Sequence, residues 1–173
     1  DALTGFEAVL GGASADSLLG SANADTLDGG AENDTLRGGA GADSLIGGAG
    51  AADWVSYDGS SAAITVNLNT GVVSNAADML TGIEAVLSGS AADSLLGSAN
   101  ADTLDGGAEN DTLSGGAGAD SLIGGAGTAD WASYAGAAGA VTVDLATGVA
   151  SGADGADALT GFEAVLGGAS ADS

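Results

Sequence analysis

The chain has 173 residues, of which 33 are Gly and only 3% are aromatic, so it lacks the makings of an ordinary globular core. Its 24 acidic side chains face a single basic one, Arg37, and the formal net charge is −23. Such a field repels nucleic acid and anionic membrane surfaces and favours inorganic cations as the compensating partner.

An acidic, aromatic-poor chain is often disordered, but here hydrophobic residues make up 45% and recur at fixed spacing. There are no cysteines to staple the fold, which leaves metal as the remaining staple. No run reaches the roughly 18 apolar residues of a membrane span. Asp1 begins no charged, apolar, cleavable leader, so export signals are expected outside these residues.

Taken in chain order, the sequence opens with DALTGFEAVL at Asp1, a phrase that returns as DMLTGIEAVL at Asp78 and as DALTGFEAVL at Asp157. These marks divide the chain into a first long repeat, 1–77, a second, 78–156, and the start of a third, 157–173. Residues 16–50 and 93–127 are identical except that Arg37 becomes Ser114. Residues 1–17 recur unchanged as 157–173, so the expectation is a longer native object, either one covalent array or copies stacked end to end.

Within each long repeat lies a period of nine. Residues 11–46 read GGASADSLL, GSANADTLD, GGAENDTLR and GGAGADSLI, and residues 88–123 repeat the theme. Asp holds the sixth position and Leu the eighth in every one of these nonapeptides. Nine residues do not fit a helical period, and each Gly would weaken a helix by roughly 1 kcal/mol. The unit is therefore a turn followed by a three-residue strand, with the central Leu inward and its neighbours outward.

The connectors 47–77 and 124–156 open with one more near-repeat, GGAGAADWV and GGAGTADWA, which brings Asp53 and Asp130 one position late. Alternation follows at Ile64, Val66 and Leu68 and at Val141, Val143 and Leu145, the mark of half-buried strands. The connectors are expected to form irregular rungs of one continuous solenoid.

These nonapeptides resemble the RTX, or haemolysin-type, calcium-binding repeat, G-G-x-G-x-D-x-U-x with U a large apolar residue. The resemblance implies an all-β fold, a right-handed parallel β-roll or β-helix with stacked calcium-binding turns. It also implies a bacterial, extracellular or cell-surface setting, and a chain that stays unfolded until calcium arrives.

Calcium takes six to eight oxygen ligands from carboxylates and backbone carbonyls, which Asp and flexible Gly turns can supply. The candidate metal ligands are Asp16, Asp25, Asp34, Asp43 and Asp53, then Asp93, Asp102, Asp111, Asp120 and Asp130, and Asp172 in the partial repeat. With two nonapeptides per coil, Asp16 lies above Asp34, Asp25 above Asp43, Asp93 above Asp111 and Asp102 above Asp120. Without metal such neighbours repel, so folding and calcium binding are expected to be one event. The fourth position, ideally Gly, is Ser14, Asn23 or Glu32 in the first block, and Glu tolerates a left-handed turn poorly.

Trp54 and Trp131, with Tyr57 and Tyr134, are expected to fill the interior where the Leu ladder ends, the other reading being a sugar platform. The outward Leu19, Ile46, Leu96 and Ile123 are seams for lateral fibre contacts or docking sites for the connectors. No His, Cys or Lys offers a catalytic constellation, and a duplicated surface offers no unique site. The reading is a calcium-rigidified repeat of a filament, adhesin stalk or surface layer. The alternative is the secretion and folding module of a toxin, protease or lipase.

Overall fold

A computed structural model of the chain describes residues 6–74 and 77–173. The first long repeat supplies β1 (Ala8–Gly12), β2 (Ser17–Leu19), β3 (Thr26–Ala31), β4 (Thr35–Arg37), β5 (Ser44–Ala49), β6 (Trp54–Ser56), β7 (Thr65–Asn67) and β8 (Val72–Ser74). The second supplies β9 (Met79–Thr81), β10 (Ala85–Leu87), β11 (Ser94–Leu96), β12 (Thr103–Asp105), β13 (Thr112–Ser114), β14 (Ser121–Ile123), β15 (Trp131–Ser133), β16 (Val141–Asp144) and β17 (Val149–Gly152). Then come β18 (Gly155–Thr160) and β19 (Ala164–Leu166). Among the described residues there is no helix, and hence none long and apolar enough to cross a membrane.

The strands stack into two sheets, ordered β1-β3-β5-β9-β8-β7-β11-β13-β15-β19 and β16-β17-β18-β14-β12-β10-β6-β4-β2. Within the nonapeptide blocks every neighbour is parallel and in register: Leu27 pairs with Leu45, Leu18 with Leu36, Leu95 with Leu113 and Leu104 with Leu122. This is a β-roll, and the nine-residue period is its cause. Each nonapeptide crosses to the opposite sheet, so every eighteen residues the chain returns one rung further on.

The core is a single file of inward side chains between the sheets. Leu27, Leu36, Leu45, Leu104 and Leu113 are 0% exposed, and Val55, Val66 and Val86 join them. Burying each Leu stabilises the fold by roughly 1.5–3 kcal/mol. The turns are as tightly stacked as the strands. Gly30 has φ +102°, and a Cβ there would strike the Gly12 carbonyl one coil away, so that position excludes other residues on two grounds.

The connectors continue the roll, but not only as parallel rungs. β9 runs parallel to β5, yet it pairs antiparallel with β8, which is itself antiparallel to β7. Parallel stacking resumes between β7 and β11. The second repeat builds the same meander from β18, β17 and β16. Its alternating residues face inward at Val141 and Val143, whereas Leu145 is 40% exposed.

Because the meander keeps three successive strands in one sheet, a long repeat makes an odd number of crossings. The next repeat therefore starts on the opposite side. β2 lies in one sheet and its sequence equivalent β11 in the other, and the exchange holds for each strand through β10 and β19.

Candidate metal centre

Outside the meander strands β7, β8, β16 and β17, the inward apolar residue of each strand is preceded, two positions earlier, by an acidic one at the turn-to-strand junction. Parallel register stacks these junctions, and the carboxylates form ladders. In the second sheet, Asp16 N–H donates to Asp34 Oδ1 at 2.7 Å, Asp34 N–H to Asp53 Oδ1 at 2.8 Å, and Asp53 N–H to Glu84 Oε2 at 3.2 Å. In the first sheet, Asp25 N–H donates to Asp43 Oδ1 at 2.8 Å and Asp43 N–H to Asp78 Oδ1 at 2.9 Å.

The second repeat builds both ladders again. Asp93 N–H donates to Asp111 Oδ1 at 2.7 Å, Asp111 N–H to Asp130 Oδ1 at 2.8 Å, and Asp130 N–H to Glu163 Oε2 at 2.9 Å. Its partner ladder runs from Asp102 N–H to Asp120 Oδ1 at 2.9 Å and from Asp120 N–H to Asp157 Oδ1 at 3.1 Å.

One oxygen of each accepting carboxylate is thus fixed, and the fate of the other divides the rungs. The Oδ2 atoms of Asp34, Asp43, Asp53, Asp111, Asp120 and Asp130 are buried without a hydrogen-bond partner. Elsewhere local donors serve: Ser21 N–H and Oγ–H reach Asp25 Oδ2 at 2.6 and 2.9 Å, and Ser98 N–H reaches Asp102 Oδ2 at 2.5 Å. Gly89 N–H donates to Asp93 Oδ2 at 3.2 Å.

A buried carboxylate oxygen without a donor is costly, and more so beside like charges. Burial, aided by Asp93, Asp130 and Asp105, pushes the Asp111 carboxyl up to about 7, although its hydrogen bond from Asp93 opposes the shift. Burial likewise raises Asp120 to about 6, and it raises Asp43 and Asp102. No basic side chain relieves this: Arg37 is spent at the surface, its Nη2 2.6 Å from Asp58 Oδ2.

The residues present fit a hard divalent cation. The orphaned oxygens are anionic and lie against glycine turns: a Cβ on Gly29, Gly38, Gly106 or Gly115 would strike the carboxylate of Asp34, Asp43, Asp111 or Asp120. Among the described residues no three acidic side chains converge on one point, so the rest of a calcium shell falls to backbone carbonyls of the turns.

The late residues Asp53 and Asp130 stand in line with their ladders. The inserted residue ahead of each is absorbed in the turn, where Asn33 Oδ1 accepts the N–H groups of Ala51 and Ala52, and Asn110 Oδ1 those of Thr128 and Ala129. Asp172 stands apart. It is exposed, its Oδ1 accepts Val141 N–H at 3.0 Å, its Oδ2 accepts Gly168 N–H at 2.8 Å, and no described carboxylate stacks on it.

Four acidic residues that nine-residue counting passes over complete the ladders: Asp78, Glu84, Asp157 and Glu163. Their signal is Asp-x-Leu or Glu-x-Val without the Gly-Gly pair of a nonapeptide turn ahead. The aromatic residues also correct an expectation. Trp54 and Trp131 open their strands and face outward, Trp131 being 41% exposed, because Val55 and Ala132 take the inward position. Tyr57 and Tyr134 do enter the core. Tyr57 Oη–H donates to Asp78 Oδ2 at 3.0 Å and Tyr134 Oη–H to Asp157 Oδ2 at 2.8 Å. Burial beside these carboxylates pushes both hydroxyls above their ordinary value, so they remain donors.

A family model describing the RTX calcium-binding nonapeptide repeat matches this chain in 4 copies, over residues 2–36, 19–51 and 96–128. A search of curated proteins finds no match.

Proposed function

The repeats of this chain belong to the RTX calcium-binding nonapeptide family, and from that premise we propose that the protein is a calcium-stiffened structural repeat of an extracellular bacterial filament, adhesin stalk or surface-layer protein. The observation that carries this reading is the set of buried, unpartnered Oδ2 atoms at Asp34, Asp43, Asp53, Asp111, Asp120 and Asp130. They are the groups that would hold the ions. Asp16, Asp25, Asp93 and Asp102 fix the neighbouring rung of each ladder through their backbone N–H groups.

Bound calcium supplies positive charge that turns repulsion between stacked carboxylates into cross-linking. The chain's own residues do the rest: the N–H to Oδ1 bonds orient each carboxylate, and the Leu file excludes water between the sheets. The mechanical role is supported by the design, in which duplicated rungs carry duplicated ladders and each further coil adds about 4.8 Å to a rod. Further copies of the repeat, stacked along the same axis, are the natural partners.

Circular dichroism of the chain in chelator, in millimolar calcium and in millimolar magnesium tests the reading. A β signal gained with calcium alone is the expected result. Equal structure in chelator would remove the metal from the account of the fold.

A further inference from the structure

We propose that Tyr57 and Tyr134 close one calcium ladder in each long repeat, making Asp78 and Asp157 metal-free rungs. The inference rests on the calcium-ladder reading above and assigns the ladder its end.

Asp78 is placed like the metal-facing carboxylates below it. It is 1% exposed, it leads into a parallel strand, and its Oδ1 accepts the N–H of the preceding rung, Asp43, at 2.9 Å. The difference lies at Oδ2. In Asp43 that atom is buried with no partner, whereas in Asp78 it takes the Tyr57 hydroxyl at 3.0 Å. The second repeat reaches the same arrangement on the opposite sheet, with Asp120 orphaned and Asp157 satisfied by Tyr134 at 2.8 Å.

The topology explains why a neutral donor belongs there. Beyond β9 the next strand in the sheet is β8, and beyond β18 it is β17, both antiparallel. An antiparallel neighbour stacks no parallel turn-to-strand junction on the rung, and the one acidic residue of the β17–β18 turn, Asp154, has its Oδ1 on Ala138 N–H at 3.5 Å. Val72, Val73 and Ser74 form β8, and none is acidic. Among the described residues a cation at Asp78 would find ligands on one side only. A protonated hydroxyl satisfies the buried oxygen without needing any. The other ladder of each repeat ends differently, in Glu84 or Glu163, and no tyrosine reaches those residues in the described contacts.

The test counts calcium bound per chain at saturation, by equilibrium dialysis of the full chain. Asp78→Asn with Asp157→Asn keeps the acceptor for the preceding rung and removes the charge. The count is expected to equal that of the wild type, whereas Asp43→Asn with Asp120→Asn loses calcium. A lower count in the Asp78→Asn/Asp157→Asn chain, with the wild type loaded, overturns the closure alone. No calcium on the wild type overturns the ladder reading and the closure with it. Should the Asn variant fail to fold, Tyr57→Phe with Tyr134→Phe decides. Its count is expected to be unchanged while its denaturation midpoint falls, and a lower count would make the hydroxyls ligands and overturn the proposal.

Discussion

Leu18 and Leu95 are the same residue of the same nonapeptide, 77 positions apart, yet Leu18 lies in β2 of one sheet and Leu95 in β11 of the other. The two long repeats are thus related by a half-turn of the roll as well as by a shift along it. Every ladder, meander and tyrosine of the first repeat reappears on the opposite side in the second. The chemistry of a rung is local and unaffected by this exchange, so substitutions at equivalent positions should act alike.

Truncating the core file should be expensive. Leu113→Ala, at a position that is 0% exposed, is expected to destabilise the calcium-loaded chain by about 2–5 kcal/mol. Leu19→Ala, at an outward position 70% exposed, should stay within about 0.5 kcal/mol. Denaturant midpoints in saturating calcium distinguish the two.

Neutralising one ladder carboxylate should act with opposite signs in the presence and absence of metal. Asp111→Asn keeps an oxygen for the Asp93 N–H and removes a buried charge, so the residual structure in chelator should become more stable. In calcium the same variant loses an anionic ligand, and its affinity should fall by on the order of 10-fold or more. Parallel calcium titrations and chelator melts read both arms.

Acid should favour the metal-free fold. Asp111 and Asp120 rise from 3.8 to about 7 and about 6 on folding, so the folded chain holds protons that the unfolded chain releases. The stability this confers is full below pH 3.8 and is lost as pH climbs through 6 and 7. In chelator, β content followed by circular dichroism should decline from pH 4 to pH 7. Calcium affinity should climb over the same interval, because the ion takes the deprotonated carboxylate.

Glu32 and Glu109 adopt φ of 70° and 71°, a left-handed conformation that Gly41 and Gly118 hold at the same place in the next nonapeptide. Neither side chain accepts a hydrogen bond in the described contacts. Glu32→Gly with Glu109→Gly is expected to stabilise the fold by about 1 kcal/mol per site, since the strain of a Cβ at positive φ is removed. Thermal melts at fixed calcium would show it, and a drop in melting temperature would mean that the glutamates contribute a ligand.

Much of this was legible because a strict period is a geometric instruction. Asp at six and Leu at eight, repeated every nine residues, dictate which side chains stack and which face inward. The parallel ladders Asp16-Asp34 and Asp25-Asp43 follow from that alone. The tryptophans were legible by the same parity, since Asp53-Trp54-Val55 places Val55 at the inward position, but large aromatic side chains invite the assumption of burial. The ends of the ladders were not. Asp78 and Glu84 sit in degenerate rungs whose turns lack the Gly-Gly pair, and only the register with β5 and β6 reveals them. The change of side was hidden too, because it depends on β8 running antiparallel, and alternation at Ile64 and Val66 reads the same in either direction.

The meander puts two more strands on its own side of the roll than the other side gains over the same stretch, about 9.6 Å of extra length. A wedge placed always on the same side would coil a long array into a ring or a spring. Since the wedge of one repeat is answered by an opposite wedge in the next, the two bends cancel pairwise. An array built this way grows straight, and an even number of repeats brings its two ends into line.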